Sequence, residues 1–133
     1  SITVLEVLEH LPRKVIEKGM SEIDRVLRPG GSLIISVPLH EKIGFSHCER
    51  CHGLVPNNRS CHLASYDDEA VRAIVPKTYV LVRSEKGVNF PEITCSKLLA
   101  PLPYDLWVMV NRFFGHVKPG YWGFYRFEKT TRS

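Results

Sequence analysis

No stretch of about eighteen uninterrupted apolar residues occurs in this chain, which argues against a simple transmembrane helix. The most apolar segment, Leu98 to Phe114, is broken by Pro101, Pro103, Asp105, Asn111 and Arg112. A secretory leader is not visible either, because Glu6, Glu9 and His10 interrupt the first apolar run. There is no internal repeat and no low-complexity tract. Lys and Arg number 18 against 14 Asp and Glu, a formal charge of +4, yet they are scattered along the chain. A scattered excess reads as solvated surface; a nucleic-acid partner stays open but is not favoured. Cysteine is sparse, four residues in 133. They could form two disulfides, but Cys48-x-x-Cys51 in a chain without a leader points to metal or free thiols, and to a cytoplasmic location.

What the sequence does contain is ordinary for one globular domain: 44% hydrophobic and 24% charged residues over 133 positions. A chain of this length buries a real core without disulfides. Ile2 to Leu5 reads as a buried parallel strand. It opens the sequence with no preceding cap or turn, so the expectation is an incomplete chain. Pro12 suits a first helical turn, and Val15, Ile16, Met20, Ile23, Val26 and Leu27 follow at helical spacing. Pro29-Gly30-Gly31 stops that helix, and Ser32 to Pro38 is a strand apolar enough to lie inside a sheet covered on both faces. Strand, helix and strand with short connections make a βαβ unit.

From His40 to Ser65 the periodicity vanishes while Cys, His, Gly, Pro and Asn accumulate. A loop of this length is usually functional or tied by metal. Ser65-Tyr66-Asp67-Asp68 resembles a helix start, with Val71, Ile74 and Val75 on one face. Tyr79 to Arg83 is a strand, and Gly120 to Phe127 is an aromatic-rich strand. Leu106, Trp107, Val110, Phe113 and Phe114 recur at helical spacing. They read as core, or as a lid over a hydrophobic substrate, which requires an exposed patch. Tyr79, Tyr104, Trp107 and the aromatics from Tyr121 to Phe127 are read as packing between sheet and helix rather than as a substrate pocket.

Two groups of residues carry chemistry. Glu6-x-x-Glu9-His10 places two carboxylates and an imidazole near the carboxyl end of a parallel strand, where sites of α/β proteins lie. His10 alone suits a general base. The second group is Cys48, Cys51, Cys61 and His62. Two thiolates spaced by two residues grip one tetrahedral zinc, and a later Cys or His completes it. Cys61 and His62 are adjacent and adjacent residues rarely both reach one ion, so His47 or His52 is the alternative fourth ligand. Four reduced thiols without metal is the other reading. Cys95 stands alone and reads as structural.

Leu5-Glu6-Val7-Leu8-Glu9-His10-Leu11-Pro12, and Arg25-Val26-Leu27-Arg28-Pro29-Gly30-Gly31 running into Leu33-Ile34-Ile35-Ser36-Val37-Pro38, together resemble segments of class I S-adenosylmethionine-dependent methyltransferases of the type 11 kind. The two cover about the first third of the chain, in the right order and with one helix between. The resemblance implies a partial Rossmann-like α/β fold over residues 1–133, forming the C-terminal part of one domain. Its sheet would be mostly parallel with a C-terminal antiparallel hairpin, with helices on both faces and a Cys/His-rich insertion at about 40–65. It also implies methyl transfer from S-adenosylmethionine to oxygen or carbon of a small molecule or biosynthetic intermediate, with Glu6, Glu9 and His10 near the reacting methyl. The family's Gly-rich turn after its first strand has no counterpart here. The expected cofactor contacts are therefore only the rim residues Leu5, Glu6 and Leu11, and the chain alone is expected to be inactive.

In small-RNA 3′-end methyltransferases and ubiquinone-pathway O-methyltransferases a similar Glu-x-x-Glu-His binds a divalent metal, and the RNA enzymes add a histidine where His62 stands. This gives an alternative, magnesium-assisted methylation of a hydroxyl. Metal-free relatives use the same Glu-His-Leu to cap a helix. Some methyltransferases of the group also carry a Cys-x-x-Cys insertion followed by Gly-His, and here Cys61 replaces that glycine. A non-catalytic, zinc-stapled module binding protein or RNA is a further alternative. So is a membrane-associated enzyme with a lipid-linked substrate, for which Leu98–Phe114 would present an exposed face. An exposed sheet edge would favour self-association.

Overall fold

A computed structural model of the chain describes residues 1–56, 61–87, 103, 105–106, 109–110, 113 and 122–131. Four strands form the main sheet: β1 (Ile2–Leu5), β2 (Ser32–Pro38), β5 (Tyr79–Gly87) and β6 (Trp122–Lys129), in the order β1-β2-β6-β5. A separate hairpin pairs β3 (Phe45–His47) with β4 (Leu54–Pro56). Two helices, α1 (Arg13–Val26) and α2 (Asp68–Ile74), and a 3-10 turn at Leu8–His10 complete the described elements. The protein is thus mixed α/β. Of the pairings in the main sheet only β1–β2 is parallel; β6 runs antiparallel to both β2 and β5. β1, β2 and β5 thus run in one direction, with β6 reversed between β2 and β5, so the expected antiparallel terminal pair is present in a mixed sheet.

Strand periodicity puts the core on one face. Ile2 and Val4 of β1 stand opposite Leu33 and Ile35 of β2, and Leu33, Ile35 and Val37 stand opposite Phe127, Tyr125 and Gly123 of β6. Leu33, Ile35, Val37, Tyr125 and Phe127 are buried, together with Ile16 and Met20 from α1 and Val71 from α2. Both helices therefore feed one core. On the alternate face Leu5, Val80 and Phe124 are about half exposed; of the three helices expected to cover the sheet, α1 and α2 pack on the core face, and the third, through Leu106 and Phe113, is described only in part. Side chains at successive strand positions point to opposite faces, which fixes this division. Among the described residues β1 pairs only with β2, leaving its outer edge unpaired.

Helix α1 shows why local sequence gives local structure. Its apolar stripe is narrower than spacing suggested: Ile16 and Met20 are buried and Ile23 packs against the core, but Val15 and Val26 stay exposed. Pro12 precedes the helix as its N-cap instead of occupying the first turn, and its carbonyl accepts from Val15 and Ile16. The surface pairs Arg13–Glu17 and Arg25–Glu22 are exposed and contribute at most about 1 kcal/mol each. Burying Ile16 or Met20 contributes roughly 1.5–3 kcal/mol, so the core, not the ion pairs, holds α1. After Leu27, Gly30 takes φ 74°, a left-handed conformation that glycine adopts without strain. Gly30 N–H then donates to Lys129 O (2.8 Å), and Lys129 N–H to Gly31 O (2.9 Å). The turn is thereby tied to the end of β6. Helix α2 begins at Asp67, whose carboxylate accepts from Ala70 N–H at 2.7 Å, a cap contributing about 1 kcal/mol.

No helix among the described residues is long and apolar enough to cross a membrane.

Candidate functional site

The two parallel strands end side by side, and the chain turns sharply at both ends. Glu6 after β1 and His40 after β2 each adopt φ 55°, a region that non-glycine residues seldom occupy and that costs about 1–3 kcal/mol. Both turns are held by backbone bonds: Glu6 N–H donates to Ser36 O (3.1 Å) and His40 N–H to Tyr66 O (2.9 Å). The carboxyl ends of β1 and β2 are where α/β proteins place their ligands.

Glu6 accepts a hydrogen bond from Ser36 Oγ at 2.5 Å. Burial, reinforced by the nearby Glu9 carboxylate, holds its carboxyl above the usual range, against the lowering effect of that bond. The 3-10 turn then carries Glu9 inward, with 1% of its surface exposed, while His10 stays open to solvent. Glu9 Oε1 lies 4.0 Å from His10 Nε2. Glu9 Oε2 and Glu6 Oε2 are buried with no hydrogen-bond partner among the described residues. An unpartnered buried carboxylate oxygen costs more than a neutral polar atom, and such atoms are rare unless something else occupies them.

His62 completes the cluster. Leu63 N–H donates to Glu9 O at 2.7 Å and Tyr66 Oη to Leu8 O at 3.1 Å, fastening residues 61–66 onto the 3-10 turn. The buried His62 ring stands edge-on to His10, centroids 4.7 Å apart, and its Nδ1 pairs with a Glu41 carboxylate oxygen. One ligand atom each from Glu9, His10 and His62 lies within 4.8 Å of the others. Glu6 is close enough to feel the charges of Glu9, His62 and Glu41. A mixed oxygen and imidazole set suits a divalent cation such as magnesium or manganese. The buried Glu9 carboxylate, grouped with two imidazoles and with one oxygen orphaned among the described residues, is the feature that fits one.

Glu9 and His10 therefore converge with His62, while Glu6 stands outside that group, near enough to feel the charges of Glu9 and His62. The cysteine group does not assemble as spacing suggested. Cys48 and Cys51 lie in the turn of the β3–β4 hairpin, Cys61 is exposed at φ 54°, and His62 faces the carboxylates instead of the thiols. Among the described residues no group of three or more metal-ligating side chains contains a cysteine. His62, expected beside Cys48, Cys51 and Cys61, instead lies with Glu9 and His10 and pairs with Glu41. Sequence reasoning missed Ser36 and Glu41. Each is a polar residue at or just beyond the end of β2, a position that marks it only once β2 is known to lie beside β1.

Of the expected cofactor rim, Leu5 is half exposed, and Glu6 and Leu11 are half-buried. Leu5 and Val7 present apolar surface beside Glu6. Leu106, Met109 and Phe113 are helical and exposed at spacings of three and four, which puts them on one face. Tyr104, Trp107, Phe114, Tyr121 and Cys95 lie outside the described residues. No family model, curated protein or solved structure matches this chain.

Proposed function

We propose that this protein serves S-adenosylmethionine-dependent methyl transfer to a hydroxyl group of a small molecule or biosynthetic intermediate, with a divalent cation held by Glu9, His10 and His62. The observation that carries the reading is the buried Glu9 carboxylate at the carboxyl end of the β1–β2 pair, grouped with two imidazoles and with its Oε2 unpartnered among the described residues. The resemblance of Leu5–Pro12 and Arg25–Pro38 to methyltransferase segments supports the reaction class. So does the antiparallel pairing of β5 with β6. The partial Rossmann-like methyltransferase fold belongs to this proposal as well.

S-adenosylmethionine, when bound, supplies a sulfonium methyl for in-line attack. Leu5, Glu6 and Leu11 fit the rim of its site and not a full cradle, since the sequence has no Gly-rich turn between a strand and a helix start. The protein's own residues position and desolvate. Glu9 and the two imidazoles would hold the cation, which would supply Lewis acidity toward an acceptor hydroxyl. Glu41 fixes the orientation of the His62 ring through Nδ1, as second partners of metal-ligating histidines do. Glu6, held in place by Ser36 Oγ, presents a second carboxylate whose proton affinity burial raises, the direction that suits a proton acceptor. Alignment of acceptor and methyl then supplies most of the acceleration.

The test is transfer of a radiolabelled methyl group from S-adenosylmethionine to hydroxyl acceptors by the protein. Transfer that a chelator abolishes, manganese restores and Glu9→Gln eliminates supports the proposal. Transfer indifferent to chelator and to Glu9→Gln contradicts the role of the cation, and no transfer to any hydroxyl contradicts the reaction.

A further inference from the structure

We infer that the Glu41–His62 pair is a latch: when Glu9, His10 and His62 hold a divalent cation, the grip on His62 passes through Glu41 to the first foot of the β3–β4 hairpin and fixes that arm at the mouth of the site. The latch rests on the cation reading of Glu9, His10 and His62, and not on methyl transfer. The arm has little else to hold it. No residue from His40 to Pro56 is buried, and no hydrophobic residue there belongs to the core or packs against it. Phe45 and Leu54 are 50% and 72% exposed. The hairpin turn is closed only on itself, with Cys48 N–H donating to Gly53 O and His52 N–H to Cys48 O, both 2.8 Å. Of the hydrogen bonds between described residues, only the one joining His62 Nδ1 to a Glu41 carboxylate oxygen leaves 41–56. Segments with so few buried contacts open at low cost.

The chain on either side of the arm is anchored. His40 N–H is tied to Tyr66 O at 2.9 Å, Leu63 N–H to Glu9 O at 2.7 Å, and Tyr66 Oη to Leu8 O at 3.1 Å. The arm thus begins just past His40, and His40 and Cys61 take φ 55° and 54°. A few residues at the ends of a segment, in sparsely occupied backbone regions, are where hinge motion is absorbed. The chemistry of the pair supplies the coupling. A carboxylate only accepts, so His62 Nδ1–H donates to Glu41 and Nε2 keeps the lone pair that ligates metal. A cation on Nε2 draws charge from the ring and makes Nδ1–H the stronger donor, the reciprocal of the way such a carboxylate raises the basicity of a ligating histidine. Loading the site therefore tightens the one bond by which the arm hangs.

Limited trypsin digestion of the protein with and without manganese tests this. Lys42 and Arg50 are both exposed. Cleavage after Lys42 requires its neighbour Glu41 to leave His62, whereas Arg50 sits in the far turn of the hairpin. Proteolysis that follows a rapid opening reports the population of the open form. At about 100 times its dissociation constant, manganese should slow the initial cut after Lys42 by up to about a hundredfold, and the cut after Arg50 much less. In Glu41→Ala, held at the same multiple of its own constant, manganese should no longer slow the cut after Lys42. Glu41→Gln, whose side-chain carbonyl still accepts from Nδ1–H, should keep part of the effect. Far-ultraviolet circular dichroism and manganese binding by both variants verify that each remains folded. No manganese binding by the wild type overturns the latch together with the cation reading. Binding that leaves the ratio of the two cuts unchanged, or that protects Lys42 equally in Glu41→Ala, overturns the latch alone.

Discussion

The imidazole of His62 meets that of His10 edge to face, ring centroids 4.7 Å apart, although α1, β2 and the whole hairpin insertion separate them in the chain. The contact exists because Leu63 bonds the backbone of Glu9, and because Tyr66 both reaches Leu8 and pairs with Leu39 beyond the end of β2. A long, aperiodic segment is thereby pinned against the mouth of the parallel strand pair.

The raised pKa of Glu6 gives a pH signature. A carboxyl whose folded pKa lies above its unfolded value contributes stability below the unfolded pKa, and that contribution is lost as pH rises through the folded pKa. In chelator, melting temperature should therefore fall as pH climbs upward from the ordinary glutamate value of 4.5, and Glu6→Gln should remove that component of the slope. Manganese, by compensating the buried charge, should flatten the profile of the wild type. Thermal melts at a series of pH values measure both. An unchanged slope in Glu6→Gln runs against the assignment.

Tyr125 is 1% exposed, and its hydroxyl donates to Asp68 Oδ1 at 2.6 Å, while Lys86 Nζ holds the other oxygen at 2.7 Å. The Lys86 bond first, and then the tyrosine, keep Asp68 below the usual carboxylate range. Tyr125→Phe should lower stability by about 1–2 kcal/mol, read as a shifted urea midpoint with an unchanged m-value. A neutral outcome means that the bond between β6 and the start of α2 contributes nothing net.

Gly123 lies two residues before Tyr125 on the same face of β6. A Cβ there would meet the Tyr125 ring at 2.5–2.8 Å. The ring cannot withdraw without leaving Asp68, so Gly123→Ala should destabilise by about 1–3 kcal/mol. Combining it with Tyr125→Phe should cost less than the sum, since the two share one contact. Strict additivity in chemical denaturation contradicts this.

Much of the fold was legible where a single element carries its own period. Ile16, Met20 and Ile23 mark α1, Pro29-Gly30-Gly31 marks its stop, and the alternation through Gly123, Tyr125 and Phe127 marks β6. Other features had no local signal. Strands β3 and β4 are three residues each, too short for alternation, and their turn lacks the Asn-Gly type of marker. Val15 and Val26 fit the helical period, yet their exposure depends on which sheet face α1 meets. The Glu6, Glu9 and His10 group could be read because a 3-10 turn at a strand end keeps neighbours together. The partners of His62 could not, since they follow from the pairing of β1 with β2 and from the pinned segment. Sequence adjacency favoured the cysteines; tertiary contact placed His62 with the carboxylates.

Manganese binding tests the central claim most directly. Free manganese, followed by electron paramagnetic resonance during titration of metal-free protein, should reveal one saturable site. Its affinity should collapse in Glu9→Gln and His62→Asn and persist in the Cys48→Ser/Cys51→Ser double variant. Absence of saturable binding, or a site indifferent to Glu9→Gln, would contradict the account.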